Sequence, residues 1–297
     1  MSLAALSDLR PLLQEIRDAK RTRVAGRPGS ISEQAFARSW ARLVEGESAA
    51  DVALSESAAA VARARLAGID SAVLTAAGLS CDEALGVLLA GFDEVAGCLD
   101  PDLADRLRAS LPLVRETAPA PALAAALNAQ PRAGATCPGV ARVVVEPPES
   151  HGDHCFTVAV YGVLVSPLVR ADPVEAFLCG LAHHLHNVAL PDAGFAGEVL
   201  LGAHLVPVME VLEARELAAL PGALADRLRA ALALRSDAVA PSSQAFHAAD
   251  VLDRVLQVHH HARAAAFTAT QALDDLQLVH DGPVQQFHLE VLADAGL

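Results

Sequence analysis

Aromatic side chains make up only 3% of the 297 residues, too few for the stacked rings and basic groove that grip single-stranded nucleic acid. Basic residues are scarce too. Lys and Arg together number 22 against 36 Asp and Glu, giving a formal net charge of −14, so most of the surface repels a phosphate backbone. That balance excludes a nucleic-acid partner and leaves room only for a local basic pocket around one small phosphate. The five cysteines (Cys81, Cys98, Cys137, Cys155, Cys179) are odd in number and show no CxxC spacing. This excludes a disulfide framework, suits a reducing compartment and reads as small core residues. Met1 to Leu6 lack a basic leader, and Asp8, Arg10 and Glu15 interrupt any apolar run, so no signal peptide is expected. No stretch reads as long enough to span a membrane. There is no Gly-rich phosphate loop, no Gly-x-Ser-x-Gly elbow, no internal repeat and no sustained heptad. The expectation is a soluble cytoplasmic protein with no membrane or nucleic-acid partner.

Alanine and leucine dominate, and β-branched runs are short, which favours helices throughout. Ser30-Ile31-Ser32-Glu33 and Ser80-Cys81-Asp82-Glu83 match the capping box, and Asp100-Pro101 is a cap followed by proline at the first helical position. Gly68 and Gly78 punctuate short turns between helices. From Glu116 to Gly139 the chain turns proline- and glycine-rich. The expected division is an N-terminal helical module (1–117), a linker (118–139) and a helical domain (140–297), all-α overall. Ala141 to Glu146 is the one strongly β-branched run, short enough to be an extended lead-in rather than part of a sheet. Helices are expected from Cys155 to Leu168, from the Asp172-Pro173 cap through His183 and His184, and over 199–218, 220–233, 243–266 and 284–295.

His183 and His184 stand side by side in Leu181-Ala182-His183-His184-Leu185-His186-Asn187, with His154 upstream and Asp250 downstream. Imidazole is the commonest transition-metal ligand, so this set reads as a candidate metal centre. The order His154, His183-His184, Asp250 resembles the HD-domain superfamily of metal-dependent phosphohydrolases, whose pattern is a His, a His-Asp pair and a distant Asp on helices of one bundle. Glu149-Ser150-His151-Gly152-Asp153-His154-Cys155 is similar to the Glu-Ser-x-x-Glu-His-Ser segment of its nucleotidase-like branch. Residues 183–192 are similar to that branch's His-Asp-x-x-Glu-Val-x-x-x-Asp, and His247-Ala248-Ala249-Asp250 to its closing helix. The likeness covers residues 140–270, three segments in order being more specific than any one.

The departures bear on chemistry. His184 replaces the Asp of the pair, so the implied ligands are His154, His183, His184 and Asp250. That softer set shifts preference towards iron, cobalt, nickel or zinc, with manganese still admissible, as one divalent ion. Asn187 replaces the Glu that relatives use beside the attacking water and cannot accept a proton at neutral pH. Asp192 or His186 would then manage the proton. A second metal would need two further histidines; His204 could supply one, whereas Arg235-Ser236-Asp237 stands where the other is expected.

Each residue also has a plainer reading. His154 could cap a turn. In a continuous helix His184 would point about 100° away from His183 and could bond a carbonyl instead of an ion. Asp250 could pair with Arg254, although Asp253 on the same face could orient neighbouring groups. His259-His260-His261 reads as an exposed run and His280-Asp281-Gly282 as a turn and helix cap. Arg142 is the candidate grip on substrate phosphate.

The resemblance implies hydrolysis of a nucleotide or similar small phosphorylated metabolite, with a homo-oligomer compatible. The alternative is a degenerate HD-like domain that serves as a ligand-binding or protein-interaction module. Iron-dependent oxygenation, known among dinuclear relatives, is a third reading that needs two irons per chain.

Overall fold

Serine caps set the helix starts. Ser30 and Ser80 each accept the N–H of a Glu three residues on, while Glu33 and Glu83 reach back to the cap N–H. The computed structural model describes residues 3–115, 119–144, 146–237, 239–265 and 285–295. Among these the chain is mainly helical. First come α1 (Leu3–Asp18), α2 (Ile31–Val44), α3 (Ala49–Leu66), α4 (Ser71–Ala76), α5 (Cys81–Val95), α6 (Pro101–Ser110) and α7 (Ala122–Ala129). After a hairpin of β1 (Ala135–Cys137) and β2 (Val140–Val143) follow α8 (His151–Val169), α9 (Pro173–Ala182), α10 (Gly194–Leu201) and α11 (Leu205–Ala218). The remainder is α12 (Gly222–Ala233), α13 (Pro241–Ala265) and α14 (Gln285–Ala295). The expected turn at His280-Asp281-Gly282 lies outside the described residues.

The β-branched run corrects one expectation. Val140–Val143 is not a lone lead-in but pairs antiparallel with Ala135–Cys137. Pro138-Gly139, with Gly139 at φ +76°, supplies the proline-then-glycine order of a type II turn. The helix expected from Cys155 also begins earlier, at His151, because Ser150 and Asp153 form a third capping box. That places His151 and His154 one turn apart on a rigid element. The helix expected over 199–218 breaks at Gly202, whose φ of +52° is left-handed backbone.

Helix α8 is buried on every side from His151 to Ser166, the signature of a helix at the centre of a core. It packs against α9, α2, α3, α7 and α1. The α8–α9 contact is backbone-close, since a Cβ on Gly180 would lie 2.6 Å from the Ala159 Cα. The N-terminal helices therefore share the core of α8, and residues Met1–Asp253 form one compact unit with Arg254–Leu297 as a second. This division differs from the linker expected at 118–139. In the second unit His259 is exposed, while His260 and His261 are half-buried.

Two segments do reach spanning length and hydropathy, contrary to the sequence reading. One is His151–Val169, 83% buried as the core helix; the other is Gly194–Ala218, mean hydropathy 1.5, whose apolar stretch is unburied. Phe195, Leu200, Val206 and Val211 are exposed along it. The cysteines divide as well: all are free, Cys155 and Cys179 are buried, but Cys81 and Cys137 are exposed.

Candidate metal centre

Helix α9 ends where the histidines begin. His183 is its C-cap, and His184 has left the helix at φ −110° and ψ 23° to start the one-turn segment Leu185–Val188. The 100° separation of a continuous helix therefore does not apply. The two rings lie with centroids 4.2 Å apart, and those of His154 and His183 are 5.0 Å apart. One nitrogen from each of His154, His183 and His184 falls within 4.8 Å of the others. Asp250 Oδ1 stands 3.4 Å from His154 Nε2, so the fourth expected ligand lies beside the group, but the common spacing is shared by the three histidines and does not include it.

The hydrogen bonds fix the tautomers. His183 Nδ1 lies 2.6 Å from the Gly180 carbonyl oxygen, which can only accept, so Nδ1 carries the proton. His184 Nδ1 is 2.7 Å from Asn187 Oδ1, and the Asn187 amide nitrogen donates to Leu190 O at 2.9 Å, which sets the amide's orientation. His154 Nδ1 is 2.7 Å from Asp253 Oδ2. All three Nδ1 atoms thus donate; the Nε2 atoms of His154 and His183 face each other, while that of His184 accepts from Arg132 Nη1 at 3.4 Å. The His154 and His183 Nε2 atoms are 3.1 Å apart. Two lone pairs at that distance repel unless a cation lies between them. Burial first, and then the neighbouring histidines, pushes His183 and His184 well below the ordinary imidazole range, so neither of these two rings holds a second proton at neutral pH. A metal ion fits, since tetrahedral nitrogen ligands at about 2.0–2.1 Å from an ion lie about 3.3 Å from each other.

A second group, Glu149, His154 Nδ1 and Asp253, also has metal-like spacing. Its cation is already present. Lys20, the single lysine of the chain, is 5% exposed. It donates to Asp253 at 2.6 and 2.7 Å and to Glu149. Burial would raise the Asp253 carboxyl, but the Lys20 ammonium and the His154 N–H outweigh it and hold it well below the carboxylate range. Asp253 therefore orients His154, as its place one turn after Asp250 suggested. Lys20 was missed, although a lone lysine among 21 arginines was a readable signal.

No family model, curated protein or solved structure matches this chain.

The remaining candidates sit around this centre in different ways. Arg142 is on the exposed strand β2, whereas Arg132 places Nη1 3.4 Å from His184 Nε2 and Nε 3.7 Å from Asp192. Asp192 accepts the Ala133 and Gly194 N–H groups at 2.9 and 2.7 Å. Burial works to raise this carboxyl, but those amides and Arg132 prevail and lower it. His186 Nδ1 is 3.1 Å from Glu213, which Arg235 grips at 2.8 and 2.7 Å while also donating to the His183 carbonyl. His204 is exposed, and His247 bonds the Arg235 carbonyl at 3.0 Å. His151, unremarked as a site residue in the sequence, is fully buried with neither ring nitrogen hydrogen-bonded. Its ring is 4.6 Å from that of His184, and burial depresses it to about 3.

Proposed function

We propose that this protein is a metal-dependent phosphohydrolase acting on a nucleotide or similar small phosphate ester, in the manner of the HD-domain superfamily it resembles. The observation that carries the reading is the group of three histidines with metal-like spacing, each with its Nδ1–H held by a hydrogen bond, and Asp250 3.4 Å from His154 Nε2. His154, His183, His184 and Asp250 would hold one divalent transition ion, with iron, cobalt, nickel, zinc and manganese the candidates. When bound, such an ion supplies Lewis acidity towards a phosphoryl oxygen and lowers the pKa of water.

The chain's own residues supply the rest. Arg132 takes the phosphate-binding role first assigned to Arg142, because its guanidinium already faces the histidine cluster and is held by two long contacts, 3.4 Å to His184 Nε2 and 3.7 Å to Asp192. The loose pairing leaves its donor fork free to turn to a phosphate. Of the two proton acceptors considered, Asp192 is the weaker, as its lone pairs serve Ala133 and Gly194. His186 is the better one. Its Nδ1–H faces Glu213, which leaves Nε2 as the acceptor in the arrangement that orients histidine bases elsewhere.

A second reading, a catalytically silent HD-like module that binds a ligand or protein partner, draws on Asn187. Its amide is spent on His184 and Leu190 where relatives carry a carboxylate. One experiment separates the two. Metal content and phosphatase activity are measured on untagged protein, for the wild type, His183→Ala, Asp250→Ala and His186→Gln. The hydrolase reading expects near one equivalent of metal in the wild type, loss of metal and activity in the first two variants, and metal retained with activity down about 10²-fold in His186→Gln. Bound metal with no hydrolysis across nucleoside phosphates and simple aryl phosphates supports the silent module. No metal after reconstitution overturns both forms of the metal site.

A further inference from the structure

Away from the histidine cluster, a cavity of about 350 Å³ lies between α3, α5 and the segment around Leu111–Val114. That volume is at the lower end of the range for small-molecule sites. Ala59, Ala62, Leu85, Leu88, Leu111 and Val114 give it apolar walls, while Arg63, Asp70 and Ser71 form its polar part. Arg63 is the unusual member. Its side chain is only 9% exposed, and among the described residues the carboxylate within ion-pair distance is Asp70, at 3.5 Å. Asp70 is already committed, for it accepts Arg27 on both oxygens and the Val73 N–H at 2.9 Å. Nearby Arg38 is fully engaged by Glu56 at 2.9 and 2.6 Å. Glu56 also accepts Arg42 at 2.8 Å, so four guanidinium groups crowd these two carboxylates, and Arg63, 3.5 Å from Asp70, is the most loosely held.

We propose that this cavity is a second binding site, for a small amphipathic monocarboxylate whose head pairs with Arg63 and whose apolar body fills the space between α3 and α5. A buried guanidinium without a full partner is costly, and a carboxylate is the anion whose fork it matches. The walls call for an apolar body. A phosphate is disfavoured, because Asp70 and the exposed Asp82 also line the cavity and repel a dianion more than a monoanion. Burial depresses the Arg63 guanidinium only to about 10, so it stays charged at neutral pH. A neighbouring cavity of about 300 Å³ also touches Arg63, but Glu15 and Asp18 line it and make it hostile to anions.

The test uses the full chain and three probes: octanoate, 1-octanol, which has the body without the charge, and acetate, which has the charge without the body. Cys81 lines the cavity and is exposed, whereas exposed Cys137 does not line it. Alkylation of the two thiols, followed by mass spectrometry, therefore reports occupancy against an internal control. Octanoate is expected to slow alkylation at Cys81 and not at Cys137, with 1-octanol and acetate at least about tenfold weaker. Arg63→Met is expected to weaken octanoate about tenfold or more without affecting 1-octanol, and Leu88→Trp to abolish protection by filling the space. Should a variant fail to fold, the three-probe comparison on the wild type still decides. Equal protection by octanoate and 1-octanol, equal protection by octanoate and acetate, or no protection at Cys81 overturns the proposal.

Discussion

At the scale of single residues, the three imidazoles differ in what holds their Nδ1–H. His183 leans on a backbone carbonyl and His184 on a neutral amide, but His154 leans on an ionised carboxylate. A carboxylate partner orients a ligating imidazole and raises its basicity, so in the proposed site His154 would be the best-supported ligand of the three. That carboxylate tolerates burial because Lys20 neutralises it. Lys20→Met leaves Asp253 and Glu149 without their cation and is expected to cost about 3–5 kcal/mol of stability and about 10- to 100-fold in metal affinity. Urea denaturation and titration against a competing chelator read the two effects. Unchanged metal affinity in a folded Lys20→Met protein would show that the lysine serves packing alone. Asn187 has a similar lesson: what looked like the loss of a base is the acceptor that turns the His184 ring.

Elements determine whether those residues can meet. The α8–α9 contact has no side chain at Gly180, whose own carbonyl then orients His183 three residues later. Gly180→Ala would press a methyl group onto the Ala159 backbone in the middle of the core. The expected loss is about 1–3 kcal/mol, with metal affinity falling in parallel because the His183 ring shifts with its helix. A drop in melting temperature with normal metal binding would separate packing from site geometry. At the other end of the centre, Ser150 starts α8 early enough to put His151 and His154 on its first turns. Ser150→Ala removes a side-chain cap and should cost about 1 kcal/mol. A melting curve indistinguishable from the wild type would count against the cap.

For the whole molecule, the buried histidines make stability depend on pH. Burial lowers His151 to about 3 and carries His183 and His184 well below their ordinary range. Above about pH 6.5 they are neutral whether folded or unfolded. Below it the unfolded chain takes up protons that the folded one refuses, so stability falls as pH falls. Asp153 acts in the opposite sense. Burial, Glu33 and Glu149 raise it to about 7 against the weaker pull of Ser30 and Lys20, so acidification from about 7 to about 4 favours the folded state at this one group. A group whose protonation differs fully between the two states contributes about 1.4 kcal/mol per pH unit, and three histidines outweigh one carboxyl. Metal-free protein should lose stability in denaturation series from pH 7 to pH 5, more steeply in Asp153→Asn. A flat or rising profile would contradict this balance.

The sequence by itself determined the helical character, the caps at Ser30, Ser80, Asp100 and Asp172, and the grouping of His154, His183 and His184. These are local or strongly typed signals: a capping box needs four residues, and paired imidazoles invite a common ligand wherever they fall. Only the tertiary structure decided the rest. That α9 stops at His183, so that neighbouring rings converge instead of diverging, depends on how the chain turns into the Leu185–Val188 segment. That Arg132 rather than Arg142 faces the cluster depends on where the hairpin lies. The place of the N-terminal helices was hidden for the same reason. Lys20 and Asp253 are 233 positions apart in the chain, and no local periodicity carries a contact of that range; only the tertiary packing brings that ammonium to the carboxylate that orients His154.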